Sequence, residues 1–278
     1  MEMNIVLSLF GGIECGYEAL KQLGIKPQKY ISSEINKHSM KIASKNHPDI
    51  IHVGDVTAWQ YWNIDWSKVD LILAGSPCQG FSFMGKQLQF DDPRSKLFFV
   101  FIDILNHVRK VNPNVKFLLE NVKMKKESLN IITKYCGVNP LFINSSLVSA
   151  QNRERNYWTN IPNVTIPEDR GIMLDSIIPG AIACGYRGRK LTKEDKKYTR
   201  IFTTRTDGKS NCVVTSVSCT GLYVKGNEIF QLTPEQCEQL QTLPIGYTDG
   251  VCKTARYKAL GNGWTVEVIK HFLKNIPK

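Results

Sequence analysis

Pro77-Cys78-Gln79 lies in a Gly/Ser/Pro-rich turn that follows the apolar run Val69 to Ala74. A cysteine at a strand-to-turn exit stands at the functional edge of a sheet. It can act as a thiolate nucleophile where its surroundings lower its pKa. Glu120-Asn121-Val122 closes a second apolar run. Acyl transfer would want a histidine beside the thiol, not a carboxylic acid. A thiol with an acid suits attack on a pyrimidine. Thiolate adds to carbon 6 when ring nitrogen 3 is protonated or hydrogen-bonded, because charge otherwise accumulates on the ring. Gln151-Asn152-Arg153-Glu154-Arg155 precedes Tyr157-Trp158. Alternate residues of a strand share a side, so Arg153 and Arg155 are expected to face one base oxygen or phosphate together. Each signal has a plainer explanation when taken alone: an inert buried cysteine, a helix-capping acid, a solvated charged strand.

A further site is expected at Phe10-Gly11-Gly12-Ile13-Glu14-Cys15-Gly16, a Gly-rich strand-to-helix turn. It has neither the Gly-Lys-Ser/Thr of a P-loop nor the GxGxxG of a dinucleotide fold, which disfavours both ligands. Close backbone approach to a nucleoside without phosphates suits S-adenosylmethionine. Glu34, at the second strand exit, is placed to hold ribose hydroxyls, and Asp55, beside Val56, to meet the adenine amino group.

These residues need a sheet to collect them. Strands are expected at Asn4–Phe10, Lys29–Ser33, Val69–Ala74 and Lys116–Glu120. Helices are expected at Glu14–Leu23, Lys37–Lys45, Ser95–Arg109, Thr233–Thr242 and Thr265–Leu273. The alternation predicts an α/β fold, doubly wound around a mainly parallel sheet, with ligands at the carboxyl ends of the strands. From about residue 170 the pattern weakens. Residues 187–209 hold nine Lys/Arg and three acids, a local charge of +6. A smaller, loop-rich lobe is expected there. The predicted division is 1–168 for the catalytic and cofactor domain, 169–245 for the lobe, and 246–278 for a segment returning to the catalytic domain.

The 278 residues carry 36 Lys+Arg against 25 Asp+Glu, a net charge of +11. A polyanionic partner fits that balance. The eight cysteines form no CxxC pair and histidine is scarce, so no metal site is expected. No run has signal-peptide or membrane-spanning character. The expectation is a cytoplasmic protein with reduced thiols and no membrane partner.

Taken in order, these segments resemble the DNA (cytosine-5) methyltransferases. Leu7 to Gly16 looks like their first motif and Ser76 to Ser82 like the nucleophile motif. Glu120-Asn121-Val122, Gln151–Arg155, Gln231–Glu235 and Gly261-Asn262-Gly263 look like later ones. The resemblance covers the chain except for about 170 to 228. It is to the bacterial and phage type, with features similar to the animal de novo subgroup. It implies methyl transfer from S-adenosylmethionine to carbon 5 of cytosine in double-stranded DNA. It also implies base flipping, a covalent adduct of Cys78 with carbon 6, and residence in a bacterial or phage-infected cell. Glu120 would bond to ring nitrogen 3, and Arg155 to the 2-oxo group with Arg153 alongside. Phe10, Gly11, Gly12, Ile13, Glu34, Ile35, Asp55, Val56, Pro77, Leu97, Asn262 and Gly263 would line the cofactor site. Ile35 stands where many relatives place an aromatic. The 170–245 segment would recognise the target, and a cognate restriction endonuclease is a candidate partner. Two alternatives stand beside this one: a tRNA cytosine-5 methyltransferase and an inactive DNA-binding accessory protein.

Overall fold

The computed structural model describes residues 3–76, 93–186, 202–216 and 220–277. Pro77, Cys78, the 79–92 loop and most of the basic 187–209 stretch lie outside the described residues.

Seven strands form the central sheet: β1 (Met3–Leu9), β2 (Pro27–Ser33), β3 (Ile51–His52), β4 (Val69–Ala74), β5 (Lys116–Val122), β6 (Leu141–Asn144) and β7 (Glu154–Thr159). Their order is β3-β2-β1-β4-β5-β7-β6, parallel except for β7, which runs antiparallel to both neighbours. The expected mainly parallel sheet is therefore present. The short β6 and the reversed direction of β7 were not foreseen. Helices α1 (Cys15–Gln22), α2 (Lys37–Asn46), α3 (Pro93–Val111) and α4 (Lys126–Cys136) follow the first strands. The expected boundaries hold to within about two residues, and α4 was missed. Asn36 starts α2 by accepting from the N–H groups of His38 and Ser39, satisfying two donors that have no helical partner.

The central strands are apolar on both faces because helices cover both. Val6, Leu71, Leu73 and Leu118 face one core, shared with residues of α1 and the C-terminal helices. Ile5, Leu7, Leu9, Ile72, Ala74, Phe117 and Leu119 face the other, against α3. This alternation decides where the chemistry goes. Glu120 continues the side of Leu118, and Arg155 that of Tyr157, which belongs to the same core.

A second sheet, antiparallel, has the order β11-β10-β8-β9, built from β8 (Ile182–Tyr186), β9 (Phe202–Thr204), β10 (Leu222–Lys225) and β11 (Glu228–Phe230). It falls within the expected lobe. Its buried Ala183 and Tyr223, with Leu174 and Val213, join the first core of the large sheet and make no core of their own. Then come α5 (Pro234–Leu240), α6 (Lys253–Asn262) and α7 (Val266–Leu273). Thr233 and Gln236 cap α5 reciprocally, with Pro234 in its first turn. Helix α7 packs on α1 and shares the first core of the large sheet. Among the described residues, no helix is long and apolar enough to cross a membrane.

Candidate active site

Strand β4 ends its pairing with β5 at Ala74↔Leu119, whereas β5 continues against β7 through Glu120↔Tyr157 and Val122↔Arg155. The end of β5 therefore projects past its parallel neighbour. Glu120 sits on that projection, 8% exposed. Its Oε1 lies 2.8 Å from Arg155 Nε, and its Oε2 accepts from Trp264 Nε1 at 3.1 Å. The ion pair is close but poorly aligned, since Arg155 Nε makes no hydrogen bond of normal angle. Burial works against the Arg155 charge, but Glu120, joined by Cys212 and Tyr157, more than offsets it, so the Arg155 pKa is raised. Next to Glu120, the Asn121 amide donates to the Ser76 carbonyl and hydroxyl at 3.4 and 3.2 Å. Asn121 thus holds the chain where it enters Pro77-Cys78.

The two arginines expected to act together part company. Arg155 reaches Glu120. Arg153, 3% exposed, donates to the carbonyls of Val213, Gly261 and Gly263 at 2.7–3.0 Å. Strand alternation did place both on one side, and both line the same cavity. The Arg153 donors, however, are taken up by backbone oxygens of the lobe and of α6. Gln151 behaves similarly. Fully buried, it bridges Leu240, Gln241, Thr265 and Val213. Two residues of the Gln151–Arg155 motif are therefore clamps.

The Gly-rich turn leaves β1 through three left-handed residues, Phe10 (φ 58°), Gly12 (φ 59°) and Glu14 (φ 60°). Such backbone at non-glycine residues is costly and must be held by its surroundings. Glu14 supplies the hold. Its buried carboxylate accepts from Ser8 Oγ, Tyr30 OH and Ser32 Oγ at 2.5–2.8 Å. Burial raises its pKa, against the lowering effect of those three hydroxyls. A Cβ on Gly11 would lie 1.9 Å from Glu14 Oε1, so only glycine fits above it. Glu34 caps the far side: Oε2 accepts the Gly12 N–H, and Oε1 accepts those of Ile35 and Asn36.

A cavity of about 430 Å³ joins the two features. Phe10, Gly11, Gly12 and Glu34 line it, with Glu120, Arg155, Asn262, Gly263 and Trp264 opposite. Of the residues expected around a cofactor, Ile13, Ile35, Asp55, Val56 and Leu97 are not on its wall. Ile13 and Val56 are buried in the core, Ile35 is largely exposed, and Asp55 caps its own turn by accepting from Thr57. Trp264, Asn121 and Glu14 were missed. Their roles depend on contacts across the fold, for which the only local signal was proximity to a motif. Gly261 has a separate reason for being glycine: a Cβ there would lie 2.2 Å from the backbone at Val214 and Thr215.

Residues 5–163 match the family model for the C-5 cytosine-specific DNA methylase. The chain belongs to that family. It is similar to the orphan methyltransferase M.Rho11sI of Bacillus phage rho11s, with 33% identity over 60% of this chain and 35% of the relative. It is also similar to the type II methyltransferase M1.ScrFI of Lactococcus lactis subsp. cremoris, with 28% identity over 93% of this chain and 73% of the relative. The chain thus spans about a third of the phage relative's length. The fold matches that of the Entamoeba histolytica methyltransferase EhMeth at a TM-score of 0.72 and 17% identity, over 99% of this chain and 98% of that one.

The methylase cavity suits S-adenosylmethionine. A Cβ on Gly12 would meet nothing within 4 Å, so space lies open beside the turn. Each carboxylate oxygen of Glu34 has two lone-pair positions. Oε2 uses one of its two on Gly12, which leaves one open towards the cavity. Buried thiols are poor competitors for the nucleophile's role: burial pushes Cys15, Cys136 and Cys237 up to about 12.

Proposed function

We propose that the protein methylates carbon 5 of cytosine in double-stranded DNA. The observation that carries this is Glu120, on the projecting end of β5, sharing one cavity with the Gly-rich turn while its neighbour Asn121 ties down Ser76. Glu34, Gly12, Phe10, Asn262 and Gly263 would hold S-adenosylmethionine, whose sulfonium would supply an electrophilic methyl group and leave as a neutral thioether. Cys78 adds as thiolate to carbon 6 of a cytosine flipped out of the duplex. Glu120, as the carboxylic acid, gives its proton to ring nitrogen 3, so that the charge which would otherwise build on the ring rests on its carboxylate. The resulting electron-rich carbon 5 accepts the methyl group. Loss of the carbon 5 proton to water then expels Cys78 as thiolate, and ring nitrogen 3 returns its proton to Glu120, which restores the ring. Arg155, already beside Glu120, would donate to the base 2-oxo group. The basic charge of the chain favours a phosphate backbone.

Duplex DNA of mixed sequence, with 5-fluorocytosine in place of cytosine, tests the route. Fluorine at carbon 5 cannot leave as a cation, so a complex that survives denaturation should form only with S-adenosylmethionine present. Absence of any such complex, in a preparation that binds DNA, overturns the covalent route.

A further inference from the structure

We propose that Trp264 is a positioning residue for Glu120, its indole N–H fixing the carboxylate plane for the base. The inference rests on the methyltransferase reading above.

Three observations converge. The first is the pairing of the acid itself. Glu120 is nearly buried, and a buried carboxylate needs a donor on each oxygen. Arg155, from β7, stands at Oε1, and Trp264, from the turn before α7, donates to Oε2. A neutral donor holds the second oxygen without adding another cation. When a base arrives, Arg155 can exchange Oε1 for the ring while Trp264 keeps the carboxylate from rotating.

The second observation is the seat of the indole. A Cβ on Gly75 would lie 3.2 Å from Trp264 Nε1 and Cζ2, and one on Gly16 3.6 Å from Cζ3. The ring therefore lies over bare backbone at the exit of β4, which leads to Cys78, and in the first turn of α1. It touches the entry to the nucleophile turn and the end of the cofactor turn while bonding the acid.

The third is the backbone on either side of the tryptophan. The Gly263 carbonyl accepts from Arg153 and Gln241, and the Thr265 hydroxyl donates to Gln241. Residue 264 is thus clamped before and after by buried side chains, and its ring direction follows. The unexpected saturation of Arg153 acquires a purpose, since Arg153 sets Trp264, and Trp264 sets Glu120.

Trp264→Phe removes the N–H but also empties space in the cavity wall. The sharper variant carries β-(3-benzothienyl)alanine at position 264, which keeps the bicyclic shape and replaces the N–H with sulfur. A protein labelled with 5-fluorotryptophan, which keeps the N–H, serves as control. Turnover is measured with labelled S-adenosylmethionine and mixed-sequence duplex DNA. The benzothienyl variant should lose about ten- to a hundred-fold in kcat, the range for one hydrogen bond to a charged group. Its KM for S-adenosylmethionine and its Tm should match the parent, and the fluorotryptophan protein should retain kcat. A benzothienyl variant with parental kcat overturns the inference. So does a loss that appears wholly in the cofactor KM, which would make Trp264 only a pocket wall. A parent that methylates no DNA overturns the functional reading itself, whereas an active parent with an equally active variant overturns this inference alone.

Discussion

The seven-stranded sheet and the four-stranded lobe use their polar side chains in opposite ways. Along the carboxyl edge of the large sheet, Glu34, Glu120 and Arg155 keep part of their hydrogen-bonding capacity turned into a cavity. At the junction with the lobe, Arg153, Gln151 and Lys209 spend theirs on backbone carbonyls. Lys209 is only 7% exposed and donates to the carbonyls of Ser146, Ser149 and Ile172. Arg205, from the same basic stretch, pairs with Asp207. Charge in the sequence is therefore a poor guide to charge available to a ligand. The same residue types face a cavity on one side of the boundary and hold the fold together on the other.

The largest effect belongs to the sheet edge. Cys78→Ser should leave no detectable methyl transfer, because a hydroxyl is a far weaker nucleophile than a thiolate. Glu120→Gln should lose about a hundred- to ten-thousand-fold in kcat. Both proteins should fold and bind duplex DNA. Turnover near the parental rate in either would remove the contrast on its active side.

The two arginines sharpen the comparison within one motif. Arg153→Met leaves the carbonyls of Val213, Gly261 and Gly263 without their donor, which should cost about 3 kcal/mol or more of stability. Arg155→Lys should change stability little and reduce kcat, since a point ammonium does not reproduce a guanidinium beside an acid. Urea unfolding and turnover, measured on both, decide the matter. If Arg153→Met unfolds at the parental midpoint, the clamp is not what joins lobe to sheet.

A third effect lies within the catalytic half and concerns pH. His47 is buried, stacked on Tyr17, and within hydrogen-bond reach of Tyr247 OH at 3.0 Å. Burial lowers its pKa to about 4, with Lys21 adding to the shift. The folded state thus prefers the neutral ring, while the unfolded chain takes up a proton near 6.5. Stability from this residue is whole above pH 6.5 and falls as pH drops towards 4, by roughly 1–3 kcal/mol. His47→Gln should flatten the stability curve between those values. An unaltered slope would assign the acid sensitivity to other groups.

What the sequence disclosed follows from range. Strand exits and their acids depend on a period of two and on turn residues a few positions away, so Glu120 and the Gly-rich turn were legible. The sheet's extra pair was not. Leu141–Asn144 is too short to stand out, and nothing local marks β7 as reversed. Ile13 sits in a motif that resembles a cofactor wall, and its apolar side chain goes to the core. Strand alternation places Arg153 beside Arg155 but says nothing of the carbonyls that take its donors, which lie 60 and about 110 residues away. Nothing local marks Trp264 either, its partner being 144 residues distant.

The smallest effect tests the lobe's remaining charge. Lys193, Lys196 and Lys197 belong to the +6 stretch but lie outside the described residues. If they meet phosphates, replacing all three with Ala should weaken binding to every duplex alike. It should also make the log–log dependence of affinity on salt shallower by about 0.9 for each phosphate left without its lysine. Lys209→Met supplies the opposite expectation: its ammonium is engaged by three carbonyls, so the salt slope should stay at the parental value while stability falls. Measured side by side, the four lysines separate cations that release counterions from a cation that joins two parts of one fold. An unchanged slope in the triple variant would place the cluster off the DNA and shift the search for phosphate-binding groups to the Thr203–Thr220 segment. A reduced slope in Lys209→Met would mean that its buried bonds break when DNA binds, and the division between working and structural charge would then fail at the residue where it is now sharpest.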